Sequence, residues 1–175
     1  RQVHGQVMEI LDAAEAYMES RNHDTAFAAA TAVLEAMNEA LQYADDSNGE
    51  IGGCVEEAIA ILDDLAGKLS LPEDVRKEAM NYCIRAYTSR RFSGWDWDIT
   101  MLRLAGEFAR SPEEGEAVLR IAPRSETSHY TLQYQQDATM EIIRRFHGDE
   151  AAVLYMHDHI SNSHFRKSLI KTAME

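Results

Sequence analysis

The chain is short of the residues that break helices. Of its 175 residues only 3 are Pro and 9 are Gly, so long stretches can keep helical hydrogen bonding without interruption. Cysteine is scarcer still. Cys54 and Cys83 are the two thiols, too few for the disulfide framework of a small secreted domain. Both fall on apolar helical faces, which predicts buried free thiols and suits a cytoplasmic compartment. No apolar run approaches the roughly 20 residues of a membrane-spanning helix, so no membrane contact is expected, and no apolar segment after a basic start marks a secretory leader. The opening Arg1-Gln2-Val3-His4 has no initiator Met and already fits a helical pattern, so we read the chain as part of a longer protein.

Positive charge is also in short supply. Lys and Arg number 17 against 30 Asp and Glu, a net charge of -13. Nucleic acid is bound largely by neutralising phosphate, so direct nucleic-acid binding by this chain is not expected. Catalytic signatures are missing as well. Neither GxSxG nor HExxH occurs, and Gly52-Gly53 is followed by no Lys-Ser or Lys-Thr that would make it a phosphate loop. Its surroundings are acidic, which repels phosphate. The sequence therefore predicts a noncatalytic chain with no cofactor. The enzyme alternative needs groups that converge from distant helices.

What the chain does have is apolar residues at spacings of three and four. Val7, Ile10, Leu11, Ala14, Tyr17 and Met18 form one stripe over about 4–20. Phe27, Ala30, Val33, Leu34, Met37, Leu41 and Ala44 form a second over about 25–44, beside an alanine-rich face that allows close packing. Further helices are predicted over about 54–68, 72–90, 96–109, 112–122, 129–146, to about 160 after Gly148-Asp149-Glu150, and 162–174. Two-residue alternation is hard to find, so the predicted class is all-α with about nine helices.

Four junctions look alike: Asn22-His23-Asp24-Thr25-Ala26, Leu71-Pro72-Glu73-Asp74-Val75, Ser111-Pro112-Glu113-Glu114-Gly115 and His147-Gly148-Asp149-Glu150-Ala151. Each joins two helices and puts acid on the first turn of the second, where the helix dipole favours negative charge. They start about 36 to 49 residues apart, one helical hairpin per repeat. Short loops make each pair antiparallel. The expectation is a single domain of stacked antiparallel hairpins, a tetratricopeptide- or HEAT-like α-α superhelix, with an irregular helical bundle as the alternative.

Several residues are candidates for chemistry. Asp46, Asn48, Glu50 and Glu57 match positions one, three, five and twelve of a helix–loop–helix calcium loop, but the sixth position is Ile51 where the sharp turn wants glycine. A structural loop that leads into the next helix is the competing reading. His157 and His159, with His164, His147 and His129, suggest a metal cluster. Residues two apart on a helix point about 200 degrees apart, so packing and surface roles are predicted instead. Trp95 and Trp97 flank Asp96 at a junction, as either a recognition patch or a plug between repeats. Arg90-Arg91, Arg144-Arg145 and Arg166 with Lys167 and Lys171 are basic clusters. The first two close predicted helices, where cations suit the dipole. The functional alternative is a basic rim that meets an acidic partner. Charge divides unevenly: residues 1–88 carry 6 basic and 17 acidic groups, and residues 89–175 carry 11 and 13.

Asp45-Asp46-Ser47-Asn48-Gly49-Glu50-Ile51-Gly52, followed by an apolar helix, resembles a stretch in the helical region beside the zinc finger of bacterial SWIM zinc-finger proteins. The preceding Ala14-x-x-Tyr17-Met18 and Ala26-x-x-Ala29-x-x-Ala32-x-Leu34 resemble the hairpin before it. Tyr155-Met156-x-x-His159 through Phe165-Arg166-x-x-Leu169-Ile170 resembles the family's closing helices. The resemblance implies a multidomain protein whose helical region is a scaffold for protein contacts. The finger's Cys pair and Cys-His pair are absent from this chain, so the resemblance carries over no zinc site and no catalytic residue. The expected function is a helical-repeat scaffold that binds a protein partner or a neighbouring domain of its own chain. The alternatives are an enzyme or small-molecule binder with a site between helices, and a calcium-regulated adaptor built on the acidic loop.

Overall fold

A computed structural model describes residues 8–9, 11–13, 23–41, 50–68, 71–91, 97–125 and 128–159. Among them there is no strand. Seven helices follow in order: α1 His23–Leu41, α2 Glu50–Ala66, α3 Glu73–Thr88, α4 Trp97–Phe108, α5 Pro112–Ile121, α6 His129–His147 and α7 Asp149–His159. Residues 8–9 and 11–13 are also helical. The all-α class is as the sequence predicts. Most of the predicted first helix, and all of the one over 162–174, lie outside the described residues.

Four helices start within one residue of the predicted place, and three start early, α7 already at Asp149. α1 begins at His23, so Asp24 and Thr25 are already helical. α2 begins at Glu50, about four residues before the sequence suggests, and runs through Gly52 and Gly53. Glycine in a helix costs about 1 kcal/mol relative to alanine. The buried stripe of Cys54, Val55, Ala58, Ile61, Leu62 and Leu65 behind the pair offsets that cost several times over.

The chain forms two compact units, Arg1–Ala79 and Met80–Glu175. In the first, α1 packs against α2. The small buried residues Ala26 and Ala30 alternate with Phe27, Val33 and Leu34 on the inward face of α1. Thr31 sits in mid-helix with its hydroxyl donated to the carbonyls of Phe27 and Ala28, both at 3.1 Å.

In the second unit α4 packs against both α5 and α6, α5 against α6, and α6 against α7. Met101, Leu102, Leu104 and Phe108 of α4 are fully buried. Gly106 of α4 lets α6 approach closely: a Cβ there would stand 2.5 Å from Ile142 Cγ1. Met140 of α6 joins Ala152 and Met156 of α7 in a further apolar cluster.

Local signals set the ends. Ser111 caps α5 by accepting from the Glu114 N–H at 3.2 Å, and the Glu114 carboxylate accepts from the Ser111 N–H at 3.3 Å. This reciprocal box, with Pro112 in the first turn, explains why the boundary was readable. Ser128 caps α6, and Gly148 ends it at φ 91. α3 ends differently. The Arg91 N–H donates to the Ala86 carbonyl and the Arg90 N–H to that of Tyr87, the pairing of a Schellman turn. The residue that takes the left-handed position is Arg90, at φ 54, where glycine is usual.

Candidate functional site

The polar interior of the second unit is built around Tyr87, at the end of α3. Its hydroxyl donates to the Ala122 carbonyl. The buried amide of Gln135, on α6, donates to that same carbonyl at 2.5 Å and to the Tyr87 oxygen at 3.1 Å. Arg124 lies over the Tyr87 ring, 4.0 Å from its centroid. Its guanidinium donates to the Tyr87 carbonyl at 2.5 Å and pairs with the carboxylate of Asp98 at 3.2 Å. Asp98 is 1% exposed, so its charge is tolerated because this cation faces it. The network ties α3, α4, the 122–124 segment and α6 together.

On the outside of the same unit, α4 and α6 leave an open groove of about 460 Å³. Ile99, Gly106, Ala138 and Ile142 supply apolar surface, and Thr100, Tyr134, Arg103, Glu107, Asp137, Glu141 and Arg145 supply polar groups. Every lining residue belongs to α4 or α6, the first helices of the two predicted hairpins.

Most of the charged groups in the groove are already engaged. Arg103 pairs with Glu107 one turn on, at 2.7 Å. Arg145 donates to the carbonyls of Gly106, Glu107 and Ala109 at 2.6, 3.0 and 2.8 Å. It thus helps to satisfy the open end of α4, where the last carbonyls lack helical partners, together with Arg110, which also donates to the Glu107 carbonyl. Burial and the adjacent Arg110 guanidinium pull Arg145 below its ordinary value. Glu141 pairs with Arg144 at 2.6 Å. Asp137 has no hydrogen-bond or ion-pair partner among the described residues. Burial, then the Glu141 carboxylate, push its carboxyl up from the ordinary 3.8.

The structure separates the residues that the sequence brought under suspicion. Asp46, Asn48, Trp95, Arg166 and His164 lie outside the described residues. Glu50 and Glu57 stand on one continuous helix, about 10.5 Å apart along its axis. This half of the acidic segment is therefore helix rather than loop. Trp97 opens α4 and is half-buried.

Arg90 donates from its side chain to the Ser125 carbonyl, and Arg91 is exposed. Arg144 bridges Glu141 and Asp149, linking the end of α6 to the start of α7. The helix-end reading of Arg144-Arg145 thus fits, with a difference. Arg145 caps the end of α4 rather than its own helix.

The histidines have separate partners. His147 meets Glu116 at 2.5 Å, His157 meets Asp158 at 3.1 Å, His129 meets Gln133 at 3.0 Å, and His159 stacks on Tyr155 at 4.4 Å. Among the described residues no group of three ligands is placed to hold a metal. Cys54 and Cys83 are buried free thiols. Burial pushes the Cys83 thiol up to about 12, which keeps it protonated and unreactive.

Sequence reasoning missed Tyr134, Asp137 and Arg103. A signal was present: Tyr134, Asp137 and Glu141 share one helical face. The chain matches no protein-family model, no curated protein and no solved structure. Among the described residues no helix is long and apolar enough to cross a membrane.

Proposed function

We propose that this chain is a noncatalytic helical scaffold, and that the α4–α6 groove is where it takes a protein partner or a neighbouring domain. The observation that carries the reading is the groove itself, which sets an apolar floor beside charged walls on two rigid helices. The packing of α4 on both α5 and α6 supports the hairpin-repeat reading, in which each repeat contacts its neighbours. The enzyme reading has less behind it. The buried polar groups Tyr87, Asp98, Arg124 and Gln135 bond to one another and none of them lines the groove. The likeness to the helical region of SWIM zinc-finger proteins belongs to the same proposal, as does a cytoplasmic location, which suits two buried thiols that form no disulfide.

The test is site-specific photocrosslinking in cells. A photoreactive residue at Thr100, in the groove, should give a discrete adduct to a partner or neighbouring domain. The same residue at Leu154, 59% exposed on α7, should not. Absence of an adduct at Thr100, or equal adducts from both positions, sinks the reading.

A further inference from the structure

We propose that the α4–α6 groove receives a peptide segment of a partner protein through a lysine or arginine side chain, whose cation meets Asp137 while its methylenes lie on the apolar floor. The proposal rests on the docking reading above and specifies the chemistry of the occupant. Five charged side chains line the groove: Arg103 and Arg145 against Glu107, Asp137 and Glu141. Both cations are engaged, Arg103 by Glu107 and Arg145 by the carbonyls that end α4. Glu141 is engaged by Arg144. Asp137 is left over, half-buried and with no hydrogen bond or ion pair among the described residues; Arg144, whose attraction it feels, pairs with Glu141 and Asp149 instead.

A carboxylate in such a place works against the fold, because its charge loses water and meets the Glu141 carboxylate, and the attraction of Arg144 offsets only part of that. Such a residue fits a role in recognition better than one in stability. Its neighbours fit the same occupant. Tyr134, one turn back along α6 and 58% exposed, offers an aromatic face to a cation. Ile99, Ala138 and Ile142 offer apolar surface to the stem of a long basic side chain. An acidic segment would bring like charge to Asp137, with the groove's two guanidiniums already bonded elsewhere.

The experiment is a ¹H–¹⁵N NMR titration of the whole chain with acetyl-Leu-Arg-Leu-amide and its twin acetyl-Leu-Gln-Leu-amide. The arginine peptide should shift the amides of Ile99, Tyr134, Asp137 and Ala138 with a dissociation constant of about 1 mM, and the glutamine peptide should bind about tenfold more weakly. Asp137→Asn, which keeps the shape and removes the charge, should erase that preference. Glu113→Gln, outside the groove, should keep it. Equal binding of the two peptides to the unaltered chain overturns the cation assignment and leaves the docking groove standing. Silence of the groove amides with both peptides, while Thr100 crosslinks still form, overturns the same assignment. Loss of the crosslinks as well overturns the docking reading with it.

Discussion

Gly106→Ala tests whether the α4–α6 contact is as close as the structure has it. Alanine is the better helix former by about 1 kcal/mol, so on propensity alone the substitution stabilises. The new Cβ, however, would lie 2.5 Å from Ile142 Cγ1 and 2.9 Å from Cδ1, against a comfortable carbon–carbon separation of about 3.5–4.0 Å. Ile142 is 4% exposed and has little room to turn away. Relieving an overlap of about 1 Å in a packed core costs about 1–3 kcal/mol. The clash wins, and a net loss of about 1–2 kcal/mol is expected. Gly53→Ala in α2 is the matched control, because a Cβ there meets nothing within 4 Å. It should gain about 0.5–1 kcal/mol. Urea unfolding followed by far-UV circular dichroism reads both, each on the unit that carries it. Adding Ile142→Ala to Gly106→Ala removes the obstructing atoms, so the pair should cost less than the sum of the single changes. If Gly106→Ala stabilises as Gly53→Ala does, the close approach of α4 and α6 is wrong, and the groove described between them is wrong with it.

Three further outcomes follow from buried groups. Asp137→Asn should stabilise the chain at pH 7. An acid whose folded value lies above 3.8 holds its proton more tightly folded than unfolded, so its contribution is lost as pH rises through that raised value. The gain of the variant should therefore shrink as pH falls and vanish below about 3.8, and a gain that is the same at pH 3 and pH 7 rules out this cause. Arg124→Met removes the cation that faces Asp98, a residue 1% exposed, and should cost about 2–4 kcal/mol in urea unfolding. Adding Asp98→Asn should restore part of it, and a single-mutant loss under about 0.5 kcal/mol would contradict the pairing. Cys83, with its thiol held up at about 12, should resist iodoacetamide in the native chain and react once urea unfolds it, as peptide mass spectrometry can read. Native-state labelling at pH 7 would refute the burial.

The helical elements were legible because their signals are local. Ser111-Pro112-Glu113-Glu114 contains its own cap, its own first turn and its own dipole partner, and α5 starts where those residues say. Gly148 likewise marks the end of α6. The Gly52-Gly53 pair misled because glycine propensity is a local penalty of about 1 kcal/mol, and the buried stripe from Cys54 onward outweighs it. Arg90 misled in the opposite sense. Nothing in its neighbours marks a left-handed residue, and its side chain bonds at Ser125, 35 residues away. Arg145 was legible as a helix-end cation, but which helix it ends was not.

The amino-acid sequence on its own determined the all-α class, most helix boundaries and the burial of both thiols, because periodicity and capping act within a few residues. Only the tertiary structure decided which side chains share a site. Asp137 and Glu107 stand 30 positions apart and meet at one groove because Gly106 lets α6 settle against α4. It also decided which charges are left over, since a carboxylate is unpaired only once every neighbour's partner is known. Pairing across helices depends on distance in space, and spacing along the chain does not encode that distance.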